Sequence, residues 1–251
     1  MERLYTFTAG FSEGSEDADY SEKLADELGA VHKIVEYNLE DMLKVLPEVI
    51  YTLESYDYAL VRSAIPNYIV VREASRSVNA LLSGEGGDEL FAGYSYLKTM
   101  RDNLDNELRT LLYGAHNTAF QRDDRMFFVH SVEFRVPFMH LPLVEYAFSI
   151  PAEYKIQNGV GKYVLRMLMK KCGVPEYIVT REKRKFSDGA GSMFAIEKFV
   201  DQQITDNEFQ CELVKNPHLR CKEELYYFRL FRGHYPPEWK SLIGFTNRPE
   251  R

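Results

Sequence analysis

The chain has few cysteines and no histidine cluster. Only three of its 251 residues are cysteines (Cys172, Cys211 and Cys221), and none forms a Cys-x-x-Cys pair. An odd, unpaired set suits free thiols in a reducing cytoplasm rather than a disulfide framework. The six histidines are scattered without metal-ligand spacing, so ordinary surface or core roles are expected for them.

Long apolar runs and an excess of positive charge are also missing. No run of about eighteen apolar residues occurs, so a membrane span is not expected. The first residues lack a basic segment followed by an apolar core, so no signal peptide is visible. A net charge of −7 argues against a nucleic-acid surface. Apolar residues make up 45% of the chain, and this share includes aromatic residues at 14%. They can fill the core of one large domain or of two small ones.

Hydropathy patterns predict alternating strands and helices over the first part of the chain. In order, the predicted elements are a strand at Tyr5–Ala9, a helix at Tyr20–Leu28 ended by Gly29, a strand at Val31–Tyr37, a helix capped by Asn38, a helix at Pro66–Arg76 and a buried strand at Val78–Leu82. Such alternation is typical of an α/β fold, in which helices cover a parallel sheet and ligands bind at the carboxyl ends of the strands.

After Tyr94 the pattern becomes helical, and no convincing new strand is predicted. Helical periods cover four stretches, at residues 106–113, 143–150, 162–171 and 223–231. We therefore expect an α/β nucleotide-binding part at residues 1–100 and a mostly helical part at residues 101–251.

A glycine-rich, acidic turn from Ser83 to Glu89 follows the last predicted strand. Its three glycines let the backbone approach a ligand closely, and the helix predicted to open at Leu90 would offer N–H groups to an anion. Glu85, Asp88 and Glu89 would repel a bare phosphate, but carboxylates and phosphates share a site when Mg²⁺ lies between them. The turn therefore predicts a nucleotide–magnesium site. The alternative, an acidic first turn that complements the helix dipole, accounts for only one or two of the acids.

Five ordered motifs extend this picture. They are Arg62-Ser-Ala-Ile-Pro-Asn-Tyr68 after Tyr56-Asp57, the run from Ser83 to Tyr94, Arg135-Val-Pro-Phe138, Phe186-Ser-Asp-Gly189 after Arg181 and Lys183, and Lys222 to Tyr227 followed by His234-Tyr-Pro236. Together they resemble the synthetase domain of the asparagine synthetase family, and the likeness runs from Tyr5 to Pro236. The resemblance implies an adenine nucleotide α-hydrolase-like fold, here N-terminally truncated.

The resemblance also implies an amide-forming ligase that uses ATP and Mg²⁺. ATP would adenylate the β-carboxylate of aspartate, pyrophosphate would leave, and ammonia would attack the β-aspartyl-AMP to give asparagine. The residues it assigns are Asp88 for Mg²⁺ and substrate, Glu85 and Lys183 for catalysis, Ser83, Gly84 and the backbone of Ala9 for the nucleotide, and Arg62 for aspartate or phosphate.

Plainer roles compete at three of these positions. Ala9 would be an ordinary buried strand residue, Arg62 a helix-start arginine facing water, and Lys183 part of a solvated basic loop. Lys162 and Arg166 share a helical face at i, i+4 spacing and could support phosphates, although solvent exposure is expected for both.

The chain departs from the family pattern in two respects. No Ser-Gly-Gly triplet occurs, so the family's first ATP loop, expected upstream of Tyr5, is missing. A start at Met1 leaves no room for the family's glutaminase domain. We therefore expect a synthetase domain cut just after its first β-α unit. His140, where relatives often carry aspartate, is a further divergence.

Three functions stay open at this point. The leading one is asparagine formation with ammonia delivered from elsewhere. The second is a β-lactam-forming type of synthetase acting on another carboxylate, for which the required tyrosine is not identifiable. The third is a non-catalytic or incomplete subunit. The protein partners to consider are a companion chain, supplying a glutaminase or the phosphate loop, and a second copy of this chain.

Overall fold

The computed structural model describes residues 3–100, 103–182 and 193–246, without the side chain of Met193. The elements up to residue 135 are β1 (Tyr5–Phe11), α1 (Glu16–Leu28), β2 (Val31–Tyr37), α2 (Leu39–Leu53), α3 (Tyr58–Ala74), β3 (Ala80–Leu82), α4 (Gly87–Phe91), α5 (Leu104–Gly114), α6 (Ala119–Phe128) and β4 (Glu133–Arg135). The later elements are α7 (Leu141–Ser149), α8 (Ala152–Lys155), α9 (Tyr163–Lys171), α10 (Glu176–Val179), α11 (Met193–Gln203), α12 (Asp206–Lys215) and α13 (Lys222–His234). Short 3₁₀ turns lie at Ser95–Thr99, Ala115–Asn117, Pro137–Met139 and Pro237–Leu242.

The chain divides into two compact units, each assembled from separate stretches. Unit 1 comprises Met1–Asn79, Gln121–Val132 and Lys185–Arg251, and unit 2 comprises Ala80–Phe120 and Glu133–Arg184. Because the two compact units do not follow chain order, they are a different division from the predicted functional boundary near residue 100. That boundary stays a prediction.

Unit 1 opens with the predicted strand–helix–strand. β1 and β2 pair in parallel from Tyr5↔Val31 to Phe11↔Tyr37. Between them, α1 ends at Gly29, whose φ of 62° suits a residue without Cβ. The two strands and the end of the helix confirm the sequence prediction, and the helix begins earlier than predicted, at Glu16, because Ser15 caps it.

The caps of α2 and α3 explain where these helices begin. Asn38 accepts from the Asp41 N–H (3.0 Å) while Asp41 accepts from the Asn38 N–H (3.1 Å), which is the predicted start of α2. The prediction that the next helix begins at Pro66 is wrong. The Asp57 carboxylate accepts from the Leu60 N–H (2.8 Å), so α3 begins at Tyr58 and Pro66 lies inside it.

The core of unit 1 joins α2, α3, α11 and α13. Its fully covered members include Val49, Ile50, Val61, Ile196 and Phe231. Smaller apolar clusters among the described residues of unit 2 lie around Leu97, Leu104 and Leu108 and around Leu90, Phe91 and Ala147.

The sheet differs from the prediction in three ways. The described strands form two separate two-stranded parallel sheets, β1–β2 and β3–β4, instead of one. β4 falls where no strand was predicted, because three residues are too few to show a period. The predicted burial of the strand before the turn is also wrong, since Leu82 is 73% exposed.

The fold class is thus mixed α/β, mostly helical, with small parallel sheets. In the part of the chain that the structure describes, no helix has the length and apolarity that a membrane crossing requires.

Candidate functional site

The acidic turn lies in unit 2, at the carboxyl end of β3. The Ser83 N–H donates to the Arg135 carbonyl (2.9 Å), which continues the β3–β4 ladder by one bond. The Ser83 hydroxyl oxygen then accepts from the Glu85 N–H (3.3 Å) and closes the turn. The turn therefore sits where parallel strands present their ligands.

The three glycines of the turn differ in what surrounds them. A Cβ on Gly86 would lie 2.2 Å from the Met139 Cε, and one on Gly87 would lie 3.3 Å from the Phe138 ring. Gly86 also has a φ of 89°. These two glycines thus serve packing against the segment after β4. Only Gly84 has open space around it, so ligand approach, predicted for all three, fits this glycine alone.

The acidic residues of the turn also differ from one another in position, burial and hydrogen bonding. α4 begins at Gly87 and not at Leu90, so Asp88 and Glu89 lie in the first turn of a five-residue helix. Glu89 is buried and accepts from the Tyr94 hydroxyl, which is a structural role. Glu85 is half-buried beside the open Gly84.

Asp88 faces a cation of the protein itself. Its Oδ1 lies 3.0 Å from the Lys162 Nζ, and the two side chains are 14% and 24% exposed. The Asp88 carboxylate therefore already has a counter-cation in a mostly covered position, which a metal ion would have to displace. Among the described residues no three His, Cys, Asp or Glu side chains gather into a metal site, so phosphate oxygens would have to complete any Mg²⁺ shell.

The backbone around this ion pair is built for close approach. A Cβ on Gly93 would lie 1.7 Å from the Asp88 Oδ1, and one on Gly161 would lie 2.3 Å from the Ala92 carbonyl oxygen. The Lys162 N–H donates to the Phe91 carbonyl (2.9 Å). Two chain segments thus cross where glycine is the only residue that fits.

Arg166, one turn into α9, binds backbone instead of phosphate. Its guanidinium donates to the carbonyls of Gly161 (3.0 Å), Val179 and Arg181 (2.8 Å). Burial lowers the pKa of Arg166, and the nearby charge of Asp88 opposes that shift. The predicted solvent exposure of Lys162 and Arg166 is wrong, because both are half-buried and bonded.

The other predicted site residues lie elsewhere. Ala9 in unit 1 is 2% exposed and pairs with Val35 across the sheet, and its predicted backbone contact with adenine stays a prediction. Lys183, together with the Phe-Ser-Asp-Gly motif that follows it, lies outside the described residues.

Arg62, also in unit 1, has a protein partner. Its Nε lies 2.8 and 2.7 Å from the two carboxylate oxygens of Glu223, and Tyr227 donates to the same carboxylate (2.6 Å). It does not face water, as its side chain is 11% exposed. Its substrate role stays a prediction.

A family model described as asparagine synthase matches residues 1–119 and 100–232. The chain belongs to this family.

Relatives with the name asparagine synthetase [glutamine-hydrolyzing] support the assignment. The chicken (Gallus gallus) protein is 36% identical over 93% of this chain and 44% of its own length. The human protein is 33% identical over 95% of the chain and 45% of its own length. A Lotus japonicus protein, asparagine synthetase [glutamine-hydrolyzing] 1, is 29% identical over 98% of the chain and 44% of its own length. The chain therefore spans less than half the length of these relatives.

Within this asparagine synthase family member, the structure brings Ser83, Gly84, Glu85 and Asp88 into one turn. Sequence reasoning missed that Lys162 contacts Asp88. One signal was available, the Gly161-Lys162 pair just before a helix.

Proposed function

We propose that this chain forms the nucleotide-binding and catalytic part of an ATP-dependent ligase that converts aspartate to asparagine through β-aspartyl-AMP. The observation that carries the proposal is the turn at Ser83–Asp88, where an open glycine adjoins a carboxylate that faces a cation. The family membership and the printed names of the relatives support the reaction class.

Asp88 would hold Mg²⁺ in exchange for the Lys162 ammonium, because a carboxylate oxygen in the turn after β3 is the kind of ligand that this ion prefers. When bound, Mg²⁺ neutralises phosphate charge as pyrophosphate leaves. Glycine at position 84 leaves room for the nucleotide beside the backbone, and the Ser83 hydroxyl holds the turn in shape.

The remaining roles follow the family assignment. The half-buried Glu85 carboxylate would orient the substrate or accept a proton from the attacking ammonia. Lys183 would stabilise charge on the phosphate and on the attacked carbonyl. The backbone of Ala9 would read the adenine edge, and Arg62 would bind substrate only by exchanging its Glu223 partner.

The adenine nucleotide α-hydrolase-like fold and a cytoplasmic location belong to the same proposal. The parallel β1–α1–β2 unit and the ligand turn after β3 support the fold. The three free cysteines support the location.

A second candidate is an incomplete synthetase module that needs a companion chain. One observation favours it. Parallel sheets are rarely as small as the two two-stranded sheets of the described residues. A companion segment that added a strand and the family's phosphate loop would extend such a sheet.

Pyrophosphate release with Mg-ATP, ammonia and aspartate, with asparagine assayed in parallel, tests the first candidate. Aspartate-dependent release from the purified chain is the expected result. Asp88→Asn should lower it about 100-fold or more, since losing one electrostatic contact at the transition state costs about 3 kcal/mol. Glu176→Gln, an exposed acid of unit 2, is the matched control and should retain activity.

Two results would contradict this picture. A folded chain that releases no pyrophosphate rejects the first candidate and favours the companion-chain alternative. Full activity in Asp88→Asn removes Asp88 from the metal site while leaving the reaction class intact.

A further inference from the structure

We propose that Lys162 is an internal counter-cation that competes with metal for Asp88, so that the site favours metal arriving with the nucleotide over free metal. The inference rests on the proposed function of Asp88. Its basis is the 3.0 Å approach of the Lys162 Nζ to the Asp88 Oδ1 in a mostly covered position.

The ion pair is held in place by the backbone. Lys162 adopts a left-handed φ of 56° immediately before α9, a conformation that is costly for a residue with a side chain. Ala92, on the facing segment, has a φ of 57°. The Lys162 N–H bond to Phe91 ties the two segments together. Two strained residues and two sterically required glycines thus converge on one ion pair.

The neighbouring charges single out Lys162. Arg166 also lies near Asp88, but its guanidinium is occupied by the carbonyls of Gly161, Val179 and Arg181. Glu89, the adjacent acid, is held by the Tyr94 hydroxyl. Lys162 is therefore the side-chain cation within ion-pair distance of Asp88 among the described residues.

The ion pair has a direct consequence for metal binding. A free divalent ion must displace the ammonium and gains few protein ligands, because no group of three metal-ligating side chains gathers among the described residues. A metal that arrives with nucleotide brings its own phosphate ligands. Lys162 therefore lowers the affinity for free metal and leaves the metal–nucleotide complex favoured.

Titration of Mn²⁺ alone, followed by water-proton relaxation, tests the inference without requiring turnover. Lys162→Met and Lys162→Gln each remove the charge and should bind Mn²⁺ about three- to tenfold more tightly than the unmodified chain, as expected for a partly covered ion pair. Lys162→Arg keeps the charge and should bind like the unmodified chain. Lys170→Met removes an exposed lysine from α9, the helix that follows Lys162, and is the control.

The outcomes separate this inference from the proposed function. Mn²⁺ affinity that is unchanged, lower or undetectable in both charge-removing variants, with their melting curves intact, overturns the competition. Tighter Mn²⁺ binding in Lys162→Met that disappears in Lys162→Met/Asp88→Asn supports it. If that double variant keeps the tight binding, the metal does not use Asp88, and both the inference and the metal assignment fail.

Discussion

Replacing Arg62 distinguishes a structural ion pair from a substrate-binding arginine. The Arg62 guanidinium and the Glu223 carboxylate are 11% and 2% exposed, and the Arg62 Nε lies 2.7 Å from Glu223 Oε2. Burial alone would lower the pKa of Arg62, but hydrogen bonding to Glu223 and its charge outweigh burial and raise it. Burial raises the pKa of Glu223, while the hydrogen bonds and charge of Arg62 oppose that shift. Because the guanidinium bonds both oxygens of the carboxylate, Arg62→Met leaves a buried acidic group without its main partner.

The expected loss of stability in Arg62→Met follows from the burial of this ion pair. Removing one partner of a buried ion pair costs about 3–5 kcal/mol. For a chain of this size such a loss lowers Tm by roughly 6 to 20 °C. Arg62→Met combined with Glu223→Met should recover most of the loss, because both charges leave the interior together. The comparison gives the coupling between the two side chains.

Thermal unfolding followed by circular dichroism is the assay, with Arg76→Met as the control. Arg76 is 69% exposed and pairs with Glu73, so its replacement should cost at most about 1 kcal/mol. The reasoning is refuted if Arg62→Met melts within about 2 °C of the unmodified chain. If that variant also loses aspartate-dependent pyrophosphate release, Arg62 is a substrate residue, as the sequence predicted.

Two further predictions concern buried titratable groups. Burial lowers the pKa of Lys155, although Asp105 opposes the shift, so stability from this group is lost as pH falls through its folded-state pKa. Lys155→Met should therefore raise Tm at pH about 7 by roughly 2–4 °C, which corresponds to about 1 kcal/mol, and by less near pH 10. A lower Tm at neutral pH would contradict this. Burial also raises the pKa of Cys221 to about 12, whereas Cys172 and Cys211 are exposed. Iodoacetamide should label these two rapidly and Cys221 only after unfolding, and equal rates by mass spectrometry would refute this.

Local signals in the sequence were sufficient for much of unit 1. The capping box of Asn38 and the left-handed Gly29 satisfy helix ends with groups a few residues away, so the sequence alone indicates them. The wrong start of α3 also comes from a local signal. Pro66 is the stronger helix-start signal in the sequence, but the Asp57 carboxylate, three residues before Leu60, caps the helix.

The interior of the candidate site could not be predicted in the same way. Gly86 and Gly87 look like a ligand loop in the sequence, but in the structure both pack closely against Met139 and Phe138. Lys162 looks like a solvated helix residue until the structure places it against Asp88.

The sequence by itself determined the family, the types of the main elements and the position of the acidic turn after a strand. These properties depend on motif order, on periodicity and on caps that bond within a few residues. Only the tertiary structure decided which charges are partners. Arg62 and Glu223 are 161 residues apart in the chain, and no periodic pattern specifies such a pair. Long-range partners are chosen by packing, because a buried charge is stable only where the fold brings it a counter-charge.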